Sequence, residues 1–460
     1  MKMNQDSFNA AAEKAPPPRL SDEALLDLVQ KQTLKFFWEG AHPVSGMAYD
    51  RDNALAENDH GSEAVTTGGT GFGIMALIAG AERRFLPKAD VQARIEKIVT
   101  FLEGAETYHG AFAHFINGST AKTIPFLPNY TPMDNGGDLV ETSFLMMGLL
   151  AAREYYKVDP AAAPLIDKIN KMWEAVEWDW YTKGEDKLYW HWSKNHDFGM
   201  NMPVKGWNEA LVTYVLAAAS PTHPISREAY VNGWTKGEEF KNGETYAGIF
   251  IDGKPSDFIK LPLGPPLGGP VFFTHYSFMG LNPHGLKDEH VDYFEQNRAH
   301  VLLNRAHVIN NPLGHKGYGP DSWGLTASDS HDGYSAHSPA NDLGVIAPTA
   351  ALSSFPYTPE YSMQALRHFY EDLGDKIWGD FGFVDAFNEG KNWYAKSHLA
   401  IDQGPIVVMI ENYRSGLLWN LFMGAPEIRP ALDKLGFDAA APEKPIAAPK
   451  AVKLPKLPSL

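Results

Sequence analysis

The chain has no cysteine among its 460 residues. Disulfides and Cys-ligated zinc are excluded, and either a reducing or an oxidising compartment is compatible. No run approaches the roughly 20 consecutive apolar residues of a membrane-spanning helix, so no membrane partner is expected. Positive charge is in short supply: 40 Lys and Arg stand against 56 Asp and Glu, a formal net charge of −16. Nucleic acid demands a basic face, which this balance does not provide. A neutral or cationic ligand fits. Met1 to Pro18 has no apolar h-region, so no secretory signal is expected in this chain. Thr67-Gly-Gly-Thr-Gly-Phe-Gly73 lacks the G-K-[ST] ending and the preceding strand of a phosphate loop, and no G-x-S-x-G elbow occurs. No cofactor is expected.

What is present is an ordinary soluble composition, 44% hydrophobic and 21% charged, with length enough for a large core. Between polar, proline-bearing arms at 1–20 and 437–460, read as disordered, helices dominate. Ser21 reads as the N-cap of a first helix with Leu25, Leu26, Leu28, Val29, Leu34, Phe36 and Phe37 on its apolar face. A Gly-rich turn is expected at 66–70. Helices apolar nearly all round begin near 68, 138, 207, 271, 342 and 402. Amphipathic helices at 90–103, 161–177, 288–308 and 359–373 fill most intervals, and 109–131 and 243–263 suit short hairpins. One buried and one half-buried helix recurring every roughly 60–70 residues is the logic of a helical repeat array. Six such pairs closing on themselves predict an all-α fold, an (α/α)6 barrel, with 21–436 as one domain. A monomer is expected.

In such a ring the inner helices run in one direction, so their N-termini share a face. Acids and aromatics accumulate just before them: Asp134, Asp138 and Glu141; Trp207, Asn208 and Glu209; Thr274 and His275; Asn341 and Asp342; Asp402. Asp138 and Glu141 also have the spacing of a capping box, which leaves Asp134 unexplained. Hydrolysis of a glycosidic bond needs one carboxyl to protonate the leaving oxygen and a second to attack or to activate water. The acid keeps its proton through burial or a carboxylate neighbour, whereas a helix N-terminus favours the charged form. Glu209, behind Trp207 and ahead of an uncharged helix, is chosen as the acid; its alternative is a first-turn glutamate complementing the helix dipole. Asp402, ahead of Gln-Gly-Pro, reads as an N-cap and is chosen as the base; plain capping is its alternative. Asp134, Asp138 and Glu141 hold sugar hydroxyls or share the base role.

In the polar segment 321–334, Asp329, His331, Asp332 and Tyr334 are placed to line a sugar site. The same Asp-x-His-Asp serves equally as a metal loop or an Asx-turn, and no further ligand motif completes a metal site. Trp207, Asn208, Trp323, Trp393 and Tyr394 complete the expected sugar-binding set. Aromatics, 12% of the chain, offer flat faces to sugar C–H groups but are also ordinary core material. His275 and His337 read as hydrogen-bonding histidines.

Trp323-Gly-Leu-Thr-Ala-Ser-Asp329, Ile346-Ala-Pro-Thr-Ala-Ala-Leu-Ser-Ser-Phe-Pro356, Gly382-Phe-Val-Asp-Ala-Phe387 and Ala400-Ile-Asp-Gln-Gly-Pro-Ile-Val-Val-Met-Ile-Glu-Asn412 resemble the bacterial glucoamylase-like domain. More closely, residues 25–430 resemble glycoside hydrolase family 144, the β-1,2-glucanases. The resemblance implies an (α/α)6 barrel and anomer-inverting hydrolysis of β-1,2-glucan or sophoro-oligosaccharides. The family's acidic cluster resembles Asp134, Asp138 and Glu141, its later glutamate Glu209, and its Ile-Asp-Gln-Gly-Pro aspartate Asp402. Members are usually exported, which sets a periplasmic location against the cytoplasmic alternative. "Glucoamylase-like" describes a fold and does not imply starch. The rival readings are an (α/α)6 lyase, phosphorylase or other β-glucosidase, and a glycan-binding protein without catalysis. A lyase would need a basic subsite for uronic acids. The segment 222–270, with Pro262 to Pro270, is the expected cleft block that would separate exo from endo action.

Overall fold

The computed structural model describes residues 19–52, 61–126 and 133–439. In chain order its main helices are α1 (Asp22–Trp38), α2 (Thr67–Glu82), α3 (Lys88–Leu102), α4 (Leu139–Tyr156), α5 (Ala163–Ala175), α6 (Leu211–Ala219), α7 (Tyr293–Asn310), α8 (Pro348–Leu352), α9 (Pro359–Arg367), α10 (Ala400–Ser415), α11 (Leu417–Met423) and α12 (Ile428–Leu435). They build an all-α (α/α)6 barrel. The inner ring runs α2, α4, α6, a pair of 3-10 turns at Val271–Thr274 and Ser277–Met279, α8 and α10, and closes where α10 packs on α2. Outside it, α1 lies on α10 and α2, α3 on α2, α5 on α4, α7 on the first 3-10 turn and α9 on α8. A short helical stretch over 227–235 covers α6 through Tyr230 and Trp234, which pack on Tyr214. Helix α11 touches α2, α4, α10 and the second 3-10 turn.

Local chemistry accounts for most of these elements. Ser21 caps α1, its hydroxyl accepting from Ala24 N–H at 3.2 Å. On α3 the buried set is Val91, Ile95, Ile98, Val99 and Leu102, the expected face. Helix α2 is buried from Thr67 to Ala81. The glycines at its start do not form the expected turn: the helix has already begun at Thr67. They serve close packing. A Cβ on Gly71 would run into the Phe144 carbonyl, and one on Gly148 into the Gly71 carbonyl, so α2 and α4 approach backbone to backbone.

The fourth inner position departs from expectation. Residues 271–281 form two 3-10 turns rather than a helix, and the buried face of α7 is correspondingly polar. Gln296 both donates to and accepts from the Leu263 backbone, at 3.2 and 2.8 Å. Four residues on, His300 Nε2 meets the Gly269 carbonyl at 3.0 Å. Four further, Asn304 pairs both ways with Leu325, at 2.9 and 3.0 Å. Buried irregular backbone must have its N–H and C=O groups satisfied, and this stripe of amides and imidazole does so. Two other inner helices start later than expected, α6 at Leu211 and α8 at Pro348. Pro348 occupies the first helical turn, where its missing N–H is harmless.

Short antiparallel strands trim the mouth. Ala64–Thr66, Phe115–Asn117 and Thr123–Ile124 form one small sheet, with Thr66 opposite Phe115. Gly137–Asp138 pairs with His191–Trp192. Hairpins 245–260 and 250–255 lie where such elements were expected. The arms at 1–20 and 437–460 lie outside the described residues except at their inner ends. There Arg19 pairs with Glu371 at 2.9 Å, and Asp438 exchanges backbone bonds with Lys287. No helix among the described residues is long and apolar enough to cross a membrane.

Candidate active site

The entrance of α4 holds three acids as the sequence suggested, and half of a capping box. Asp138 is the N-cap, its Oδ1 accepting from Glu141 N–H at 2.9 Å. The reciprocal bond is replaced by one to another helix: Glu141 Oε2 accepts from Gly68 N–H at 2.7 Å. A Cβ on Gly68 would stand 2.5 Å from that oxygen, so a larger residue there would push the carboxylate away. The amide of Thr67 donates to the His114 carbonyl at 3.0 Å, and this fixes His114 beside both carboxylates. His114 Nδ1 lies 3.1 Å from Asp138 and Nε2 3.9 Å from Glu141. Burial opposes charge on His114, but Glu141, Asp138 and Asp50 overcome it and push its pKa up to about 9. The Glu141 carboxyl, lifted chiefly by burial and held back by His114, stands at about 7.

Asp134 is half-buried, and burial with the nearby Asp138 charge raises it to about 6. Its Oδ1 lies 3.3 Å from His191 Nε2. That contact is not an ion pair: burial lowers His191 to about 4, and its Nε2 accepts from Gly136 N–H at 3.0 Å. Strand pairing of Asp138 with His191 brings the two loops together.

Glu209 sits in the turn ahead of α6, not in its first helical turn. Its carbonyl accepts from the Ser277 hydroxyl, and Asn208 Oδ1 accepts from Ala210 N–H at 2.9 Å. Burial raises the Glu209 carboxyl to about 7, its own N–H opposes this, and Glu141 and Asp138 add to it. The hydroxyl of Tyr276, between the two 3-10 turns, is pushed up by burial and then by Asp402, Tyr334, Glu209 and Glu141. One phenol thus feels acids from α4, from the turn ahead of α6 and from α10.

Asp402 is not the N-cap of α10. Leu399 is, and Asp402 lies inside the first turn, 3% exposed, with Pro405 deeper in the helix. Burial raises its carboxyl strongly, and Asp385 raises it further. Loop residues 50–52 hold this end of α10. Ala400 N–H donates to the Asp50 carbonyl at 2.9 Å, and Asp52 accepts from His398 N–H at 2.8 Å. Arg51 Nη1 reaches both oxygens of Asp329 at 3.1 Å, and Ser397 donates to the same carboxylate. Among the described residues no three His, Asp or Glu side chains are placed to hold a metal ion.

A family profile described as "Putative glucoamylase" matches residues 201–426. The endo-β-1,2-glucanase of Chitinophaga pinensis, solved with sophorotriose and glucose, is 52% identical. Its match covers 92% of this chain and 99% of that one at a TM-score of 0.85. A Bacteroides uniformis crystal structure described in the same words as the profile is 52% identical over the same shares, with a TM-score of 0.86. The chain belongs to this glucoamylase-like family. Another relative, the exo-β-1,2-glucooligosaccharide sophorohydrolase (non-reducing end) of Parabacteroides distasonis, is 44% identical over 444 residues. Those residues are 94% of this chain, which spans 60% of that relative's length.

Not every expected sugar contact is open to the cleft of this family member. Trp207 is 2% exposed, packed on Phe278 and Tyr293, and Trp323 is fully buried in the core. Neither offers a face to a ring. Asn208 spends its amide oxygen on a turn. Asp329 is a strut between Arg51 and Ser397. Asp342 anchors its loop to α7 through His307 at 2.8 Å, and His275, bonded to Ser354 at 2.9 Å, is buried. Tyr334 and Asp332 are exposed, while His331, Trp393 and Tyr394 are half-buried. His331 and Trp393 stand edge to face at 6.4 Å. The sequence reading missed His114, Tyr276, Arg51 and Asp385. Asp385 lay within the Gly382–Phe387 string; the others carry no local motif.

Proposed function

We propose that the protein is a β-1,2-glucan hydrolase of glycoside hydrolase family 144, cleaving the polymer or sophoro-oligosaccharides with inversion at the anomeric carbon. The observation that carries this reading is the set of buried or half-buried acids at the inner-helix entrances: Asp138 and Glu141 flank His114 at 3.1 and 3.9 Å, Asp134 lies 3.3 Å from His191, and Asp402 is buried in the first turn of α10. Two similar proteins named for this linkage, one endo and one exo, support the substrate. In the proposed reaction Glu209, which burial keeps half-protonated near neutrality, gives its proton to the interglycosidic oxygen as the C–O bond breaks. Asp402 takes a proton from the water that attacks C1 from the opposite face. Asp134, Asp138 and Glu141 accept sugar hydroxyls, with the His114 cation balancing their charge. Tyr334 and Trp393 supply faces for the rings.

The test is linear β-1,2-glucan, with products sized over time and the first-formed anomer read by NMR. Short sophoro-oligosaccharides released as α-anomers support the whole reading. A β-anomer first would overturn inversion alone. No reducing sugar from β-1,2-glucan, with glucose released from starch, would overturn the substrate.

A further inference from the structure

The mechanism above gives Asp402 a task that its surroundings make difficult. A general base must be ionised, yet Asp402 is 3% exposed, and its Oδ2 meets no N–H or O–H among the described residues. The carboxyl of Asp385 lies within hydrogen-bonding reach of it. Asp385 is 2% exposed; its Oδ2 accepts from Asp329 N–H at 2.6 Å, and its Oδ1 is likewise buried without a donor. Two buried oxygens on adjoining carboxyls thus lack a hydrogen atom, and one proton between them satisfies both. Adjacent carboxylates cannot both ionise cheaply in a site of low polarity. The pair is held from several sides. Asp385 N–H donates to the Ser397 carbonyl at 2.8 Å, and the Thr349 hydroxyl donates to the Asp402 carbonyl at 2.9 Å. The charged and titratable groups facing the pair are Arg51, Asp329 and Asp50 from the neighbouring loops, and the phenols of Tyr334 and Tyr276.

We propose that Asp385 is the positioning residue for Asp402: the two carboxyls hold one proton between them, Asp385 donating it so that Asp402 stays ionised and aimed at the attacking water. When water attacks, its proton goes to Asp402, the hydroxide oxygen bonds C1, and the pair then carries two protons until one returns to solvent. The Asp329–Arg51 ion pair fixes Asp385 from behind and offsets the remaining negative charge.

The proposal rests on the hydrolase reading, but its decisive measurement does not use activity. The full chain, labelled with carbon-13 at the Asp side-chain carboxyl carbon, is titrated by NMR as wild type, Asp385→Asn and Asp402→Asn. In the wild type one buried carboxyl should remain protonated past about pH 7, above the ordinary aspartate range. It should vanish in both variants, because an amide at either position donates to the other carboxylate and removes its need for a proton. No such carboxyl in the wild type, or one that survives in either variant, overturns the shared proton. In parallel, kcat on β-1,2-glucan is followed against pH. Asp385→Asn, which keeps a neutral donor on Asp402 as the protonated Asp385 does, should keep KM and leave the acid limb of kcat within about half a pH unit of the wild type. Asp385→Ala, which supplies no donor, should lose at least about tenfold in kcat. An acid limb in Asp385→Ala that is not raised above the wild type's, or an Asp385→Asn as impaired as Asp385→Ala, overturns the positioning role. A wild type inert on the glucan but showing the shared proton would sink the hydrolase reading and leave the pair standing.

Discussion

Replacing Glu209 by Gln tests the assignment of the acid most directly. At pH 7 a carboxyl with a pKa of about 7 is half protonated. One at its ordinary value near 4.5 would be protonated less than about 1% of the time, so burial multiplies the competent form by roughly 150. Loss of a general acid costs about 10²–10⁴ in rate, or about 3–5 kcal/mol of barrier. Glu209→Gln should therefore cut kcat on β-1,2-glucan by that factor while leaving KM within a few-fold. The alkaline limb near pH 7 should disappear from the residual activity. A dinitrophenyl β-sophoroside, whose leaving group needs no proton, should be cleaved at nearly the wild-type rate. Stability should move the other way. The folded pKa is raised, so ionisation opposes folding as pH climbs from about 4.5 to about 7. The variant should match the wild type below about pH 4.5 and show a higher Tm above about pH 7. Near-normal turnover of the glucan, or equal loss on both substrates, would refute the role of Glu209 as acid.

Gly68→Ala should displace Glu141, since the new methyl would sit 2.5 Å from its Oε2; a destabilisation of about 1–3 kcal/mol, with activity loss beyond it, is expected in denaturation and initial-rate assays. His114→Gln removes a charge whose folded pKa of about 9 exceeds its unfolded value. The Tm deficit should be full below about pH 6.5 and fade as pH rises through about 9; a deficit independent of pH would contradict the His114 ion pairs. Trp207→Ala should behave as a core deletion, costing about 3–5 kcal/mol in urea unfolding. Tyr334→Ala should raise KM with an unchanged Tm, and the reverse pattern would show that the two residues have been assigned the wrong places.

What could be read along the chain was set by periodicity. Helix α3 buries the five residues that a 3.6-residue repeat selects. The fully apolar stretches, 271–281 excepted, became inner helices because no other position in a two-layer ring hides every face. The repeat of buried and amphipathic segments therefore determined the all-α barrel and put Asp138, Glu209 and Asp402 on loops or first turns at one mouth. Helix α7 shows where this logic stopped. Gln296, His300 and Asn304 recur at helical spacing yet face inward, since what they meet is irregular backbone and not apolar side chains.

Sequence alone determined which acids stand at the entrances of the inner helices, because a helix start is a local event written in adjacent residues. Only the tertiary structure decided what each acid touches. His114 reaches Asp138 because the Thr67 amide holds its carbonyl, Asp385 is set beside Asp402 by its backbone bond to Ser397, and Trp207 turns into the core away from the cleft. The physical reason is that protonation and access depend on groups brought together from distant parts of the chain. A carboxyl's neighbours in space set its charge, and its neighbours in sequence do not.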